Sequence, residues 1–124
     1  MKIYVAGPLM NGHTAGPREA FANVKKAEEI YIALVAKGHS VYLPHFSYYA
    51  WIAANTDIPW ERWMQNDYDW VEASDALFRI PGKSKGAEVE EAHALASDKK
   101  VFYNLNEVPE EPIKPINWKG GHTT

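Results

Sequence analysis

Residues 2–8 read Lys-Ile-Tyr-Val-Ala-Gly-Pro, and residues 39–44 read His-Ser-Val-Tyr-Leu-Pro. Each is a short apolar and aromatic run stopped by a breaker, the pattern of a buried strand running into a loop. Between them, residues 17–37 have the marks of a helix. Pro17 suits its first turn and Gly38 its C-terminal cap. Val24, Ala27, Tyr31, Leu34 and Val35 share one face, with Lys25, Lys26, Glu29 and Lys37 on the other. A strand, a helix and a second, parallel strand make a right-handed βαβ unit.

The alternation continues outward from that unit. Residues 45–58 are aromatic and irregular, with room for a short helix. Pro59 opens a helix to about residue 73, and residues 76–80 form a third strand closed by Pro81-Gly82. A helix over 87–97 and a strand over 101–105 follow. This order predicts an α/β domain over residues 1–106. Its sheet is doubly wound, mostly parallel, four- to five-stranded and Rossmann- or flavodoxin-like, with helices on both faces. Residues 107–124, with Pro109, Pro112 and Pro115, are predicted to be a C-terminal extension, either wrapped on the domain or partly disordered, with 120–124 loose. Ligands of such sheets bind beyond the carboxyl ends of the strands. The loop over 8–17, with Asn11, Gly12, His13 and Thr14, is longer than the ~2–6 residues usual there, a mark of function.

Composition narrows the class. The chain has 124 residues, 46% of them hydrophobic and 13% aromatic, enough for one self-supporting core. Its 13 basic and 16 acidic residues give a net charge of −3, too balanced for a nucleic-acid arm or a polybasic membrane surface. The absence of cysteine excludes disulfides, thiolate metal sites and a thiol nucleophile, and fits a cytoplasmic setting. The first apolar run is shorter than a secretion signal requires, and no stretch approaches ~18 apolar residues. The histidines (13, 39, 45, 93, 122) show no metal-ligand spacing, and no motif calls for a cofactor.

Two places carry chemistry. In the helix after Pro59, Trp60, Trp63, Met64, Asp67, Trp70 and Val71 fall on one stripe. Asp67 alone among them is not apolar. A carboxylate on an apolar face costs several kcal/mol unless it is hydrogen-bonded, paired or facing a cavity. It is either a structural Asp that caps a neighbouring loop or the carboxylate of a pocket. The stripe around it reads first as core.

The second place is Pro81-Gly82-Lys83-Ser84-Lys85-Gly86-Ala87-Glu88-Val89-Glu90-Glu91, a glycine-bearing loop running into a helix. A helix N-terminus exposes free N–H groups and partial positive charge, which suits an anion. Neither the P-loop nor the Gly-x-Gly-x-x-Gly spacing is present. Val89, Ala92 and Ala96 mark the apolar face, and Glu88 and Glu90 flank it. Periodicity does not choose between the two glutamates, and acidic residues there also serve the helix dipole. Tyr4 reads as a core tyrosine close enough to the carboxyl end of its strand for its hydroxyl to reach the site.

Taken in order and spacing, residues 2–105 resemble the nucleoside 2-deoxyribosyltransferase-like superfamily, which includes deoxynucleoside 5′-monophosphate N-glycosidases. The matching pieces are Lys2-Ile-Tyr-Val-Ala-Gly-Pro8, Phe21, Gly38-His-Ser-Val-Tyr-Leu-Pro44 and Trp60 to Met64. Asp67-x-x-Trp70-Val-x-x-Ser-Asp75, Ser84-x-Gly86-Ala-x-x-Glu90-x-Ala-x-Ala94 and the strand near Val101 complete them.

The resemblance implies that Glu90 is the nucleophile and that Tyr4 orients it. It implies that Asp67 contacts the sugar or assists the leaving base, and that Ser84 contacts a phosphate. The loop Gly7-Pro8-Leu9-Met10 and Gly86 would complete the substrate site. Near its helix N-terminus Glu90 would stay ionised, as a nucleophile must. The implied partner is a small nucleoside or nucleotide, with no nucleic-acid polymer, no membrane, no metal and no cofactor. Relatives form dimers or higher homo-oligomers, for which residues 46–51 are the candidate interface or lid. The loop after the first strand lacks the arginine common in the monophosphate glycosidases, and Arg18 and Lys83 are the candidate replacements. The run from Pro81 to Glu90 also echoes, with one residue too many, the cytokinin-type nucleoside-monophosphate phosphoribohydrolases. A non-catalytic nucleotide-binding module on the same fold is the other alternative.

Overall fold

The computed structural model describes residues 1–10, 16–54 and 57–120, with the side chains of 51–54 excepted. The predicted long loop at 11–15 and the loose end at 121–124 lie outside the described residues. Four strands, β1 (Lys2–Ala6), β2 (Ser40–Tyr42), β3 (Ala76–Arg79) and β4 (Lys100–Phe102), form one parallel sheet in the order β2-β1-β3-β4. The central strands are short and apolar because both faces are covered, as parallel sheets require. Every residue of β3 and all but the first of β1 are buried.

Helix α1 (Pro17–Ala36) covers one face. Its Ala27 and Leu34 pack with Ile3, Val5, Phe78 and Phe102. Burying a side chain such as Leu34 or Phe78 is worth roughly 1.5–3 kcal/mol. Val35, expected on this face, is exposed instead. Helices α3 (Trp60–Ala73) and α4 (Lys85–Ala96) cover the other face, where Val71, Ala87 and Ala94 meet Tyr4, Ala6 and Leu77. The irregular stretch after β2 is a 3₁₀ turn, Pro44–Phe46, followed by α2 (Ser47–Ala54). After a second 3₁₀ turn, Leu105–Glu107, the chain folds back. Val108 is buried in the core, Glu111 N–H donates to the Lys37 carbonyl at 2.8 Å, and His39 bonds the Pro109 carbonyl at 2.6 Å.

Two glycines position the strand ends. A Cβ on Gly7 would stand 2.8 Å from Cβ of Ile80, so β1 and β3 leave the sheet side by side only because Gly7 has no side chain. Gly82 adopts φ +130 and would meet Pro8 in the same way, so the β3–α4 loop lies directly on the β1 loop. Among the described residues no helix is long and apolar enough to cross a membrane.

Candidate active site

Tyr4 is fully buried near the carboxyl end of β1. Its ring stacks on Tyr42 at 5.6 Å, and Tyr42 stacks on Trp70 at 4.8 Å, so one column of rings joins β1, β2 and α3. The column aims the Tyr4 hydroxyl at α4, where it donates a 2.6 Å hydrogen bond to Glu90 Oε2. Asp67, on α3, faces Glu90 and Tyr4 closely enough that its charge raises the ionisation of both. Two carboxyl groups and a phenol from three elements thus meet at one point.

The two carboxyl groups line a cavity of about 540 Å³, with Tyr4 buried beneath Glu90. Gly7, Leu9 and Met10 line it from the β1 loop, and Ser84, Lys85 and Gly86 from the start of α4. Trp60, Trp63 and Met64 of α3, with Ile58 and Tyr48, supply an apolar wall. Ser84 Oγ caps α4 by accepting from Ala87 N–H at 3.2 Å, and Glu88 N–H is taken by the Ser84 carbonyl. The N–H groups of Lys85 and Gly86 belong to the orphan donors of the first turn and stand at the cavity wall.

The structure brings together Tyr4, Asp67 and Glu90 with Gly7, Leu9, Met10, Ser84 and Gly86. Pro8 departs from the expected set. It lines a second cavity of about 250 Å³ with Glu19, Asn23, Lys26 and Lys83, because its ring is pinned under Gly82. Lys83 lines the same second cavity, and Arg18 is exposed on α1. Lys85 is the cation that lines the main cavity. His45, Ser47 and Tyr48 also line it. They follow Pro44 at the end of β2, and that position was the signal for them. Trp51, the last residue of the candidate lid, lies outside the described side chains.

The face of α4 also differs from expectation. Ala87, Glu90 and Ala94 are its buried residues, whereas Ala92, Ala96 and Glu88 are exposed. Glu90 therefore sits in the middle of the packed face, while Glu88 faces outward. The Trp stripe divides: Met64 and Val71 are core, Trp60 and Trp63 face the cavity, and Trp70 lies at the surface against Tyr42.

Electrostatics corrects a further expectation. α4 begins at Lys85, so Glu90 is in its second turn, beyond the strongest reach of the helix dipole. Burial pushes its carboxyl up to about 8, and the neighbouring Asp67 charge pushes the same way against the Tyr4 hydrogen bond. Burial pushes Asp67 up to about 6. Burial thus favours the protonated form of the pair, and of Glu90 above all. Among the described residues no group of three or more His, Asp or Glu is placed to hold a metal.

The parallel sheet with its flanking helices has the fold of the 2-deoxyribosyltransferases. The 2-desoxiribosyltransferase from Leishmania mexicana is similar at TM-score 0.52 and 22% identity, over 81% of this chain and 61% of that one. The 2-deoxyribosyltransferase from the psychrotolerant bacterium Bacillus psychrosaccharolyticus gives TM-score 0.48 and 21% identity, over 94% and 100%. The chain belongs to the family described as a domain of unknown function, DUF4406, whose model matches residues 1–103. No curated protein matches it. The chain spans 61% of the Leishmania mexicana protein.

Proposed function

We propose that this protein cleaves or exchanges the N-glycosidic bond of a nucleoside or its 5′-monophosphate. The observation that carries the reading is the pairing of Asp67 and Glu90 in the lining of an aromatic-walled cavity, with Tyr4 bonded to Glu90 from beneath. A sugar fits over the carboxyl groups and a base against Trp60 and Trp63, and the α4 N-terminus suits a phosphate.

Glu90, ionised, attacks the anomeric carbon. The carbon–nitrogen bond breaks, its electron pair leaves with the base, and Asp67 delivers a proton to the base nitrogen. Water or a second base then attacks the same carbon. The glycosyl ester opens, Glu90 recovers its carboxylate, and Asp67 takes up the proton released by the acceptor. One proton in the pair suffices for this cycle. Burial favours its resting on Glu90. Positive charge building on the sugar favours the ionised form of Glu90 and sends the proton to Asp67, the group that hands it to the base.

The reading takes the protein as a cofactor-free cytoplasmic homo-oligomer. The half-exposed Phe46 and Tyr49 support residues 46–51 as part of an interface or rim, while Tyr48 turns inward to the cavity. The test is a panel of nucleosides and 5′-monophosphates, each with and without an acceptor base, assayed for free or exchanged base by chromatography. Base release by the wild type, lost in Glu90→Gln and kept in Glu88→Gln, is the expected result. No base released from any substrate overturns the reading.

A further inference from the structure

Arg79 closes β3 and is buried, the only buried side chain with a fixed positive charge among the described residues. Its guanidinium is spread over three partners. Nη1 donates to the Ile80 carbonyl, Nη2 donates to the Gly82 carbonyl at 3.0 Å, and Nε donates to Glu91 Oε1 at 3.1 Å. The second oxygen of Glu91 accepts a 2.8 Å bond from the Tyr103 hydroxyl, just beyond β4. One planar cation thus ties the β3–α4 loop, α4 and the segment after β4 together. Glu91 and Glu90 are neighbours on α4, so the grip on Glu91 behind the helix fixes the rotation that turns Glu90 toward Tyr4. Arg79 touches neither the cavity nor the carboxyl pair.

We propose that Arg79 is a positioning residue for Glu90: through Glu91 and the Ile80 and Gly82 carbonyls it anchors α4 and its leading loop and holds Glu90 against Tyr4. The charged and titratable groups facing Glu90 are Tyr4 from β1, Tyr42 from β2, Asp67 from α3 and Arg79 from β3. Those facing Arg79 are Glu90 and Glu91 from α4 and Tyr103 beyond β4. Of all these, Arg79 alone brings positive charge. Glu91 neutralises part of it, so Glu91 and Arg79 act on Glu90 with opposite sign. A lysine keeps the charge but cannot span two carbonyls and a carboxylate with one ammonium.

Glu90 is assigned a role by the proposed reaction, and this inference rests on that reading. Its primary test does not require turnover. The Glu90 carboxyl carbon is followed by NMR against pH in full-length protein labelled with ¹³C-glutamate, the signal being assigned by its loss in Glu90→Gln. In Arg79→Gln the Glu90 titration moves up by about one pH unit, and in Glu91→Gln it moves down. Arg79→Lys leaves the titration near the wild-type value but lowers kcat on any substrate found, with KM little changed. Both single-charge variants are first checked for folded, cooperative melting. If Arg79→Gln does not fold, the Glu91→Gln shift and the Arg79→Lys split decide. Shifts in the same direction, or no shift in folded variants, overturn the proposal and leave Arg79 a structural clamp. Opposite shifts with no base released from any substrate preserve the positioning and overturn only the reaction.

Discussion

The hydroxyl of Tyr4 and Oε2 of Glu90 lie 2.6 Å apart across 86 positions of sequence, and no water-exposed surface of Tyr4 remains. The phenol is held by its ring, stacked on Tyr42, so its donor direction is fixed before any ligand arrives. It cannot serve as a base itself: burial and the neighbouring Glu90 raise its ionisation well above the usual tyrosine range. Its role is to donate. The bond favours the ionised form of Glu90 against the effect of burial.

Tyr4→Phe separates these roles. The ring and its stack survive, and only the oxygen is lost. Glu90 then holds its proton still more tightly, and turnover falls about 10-fold or more with the pH optimum moved to higher pH. Stability changes by no more than about 1–2 kcal/mol, the worth of one buried hydrogen bond. A pH–rate profile beside a urea melt checks both halves.

Ser84 links folding to the site. Its side chain caps α4 through Ala87 N–H, so Ser84→Ala is expected to cost about 1 kcal/mol of stability. It also loosens the turn that presents the Lys85 and Gly86 donors at the cavity wall. Affinity for a 5′-monophosphate therefore falls more than affinity for the parent nucleoside, a difference that calorimetry on the two ligands measures.

Much of this was legible in the sequence because breakers and apolar runs are local signals. Gly7-Pro8, Pro44 and Pro81-Gly82 each end a strand near where the chain leaves the sheet. Asp67 stood out because one carboxylate in an apolar stripe has few physical excuses. What stayed illegible depended on packing between distant elements. α4 has almost no contrast between its faces, so its buried residues, Ala87, Glu90 and Ala94, are defined only by Tyr4 and Leu77 beneath them. The electrostatics of Glu90 were illegible because the helix begins two residues earlier than the apolar pattern suggested, and because its burial, which pushes the carboxyl up, is defined by distant elements. Pro8 fell outside the main cavity because Gly82 lies over it, a contact between two loops that neither loop announces.

Two glycines in the site answer differently to one methyl group. A Cβ on Gly7 meets Cβ of Ile80 at 2.8 Å, an atom fixed to the backbone of the neighbouring chain segment. Gly7→Ala therefore destabilises by about 1–3 kcal/mol through overpacking. A Cβ on Gly86 meets only the Met64 side chain, its sulfur at 3.5 Å and its terminal methyl at 4.0 Å, both ordinary contacts. Gly86→Ala sits in the first turn of α4 and raises stability by up to about 1 kcal/mol through helix propensity. It also adds a methyl group at a cavity wall. Ligand affinity falls while the melting temperature holds or rises, and that opposition distinguishes a ligand-facing glycine from a structural one.

The carboxyl pair makes stability depend on pH with a definite sign. Glu90 and Asp67 both bind their protons more tightly folded than unfolded, at about 8 and about 6. Below the ordinary carboxylate range both groups are protonated in either state, and their contribution is fully present. Between that range and about pH 8 the folded state holds more protons than the unfolded chain, so stability falls as pH rises, and above about 8 the contribution is gone. Glu90→Gln removes the dominant titration and leaves a neutral group of the same shape that still accepts from Tyr4. The variant is therefore more stable than the wild type at pH 9, by about 1 kcal/mol or more, with the difference shrinking toward pH 5. Urea denaturation at the two pH values measures it. A wild-type stability that rises between pH 5 and 9, or a Glu90→Gln variant that tracks the wild type, would mean that Glu90 is already ionised in the empty site.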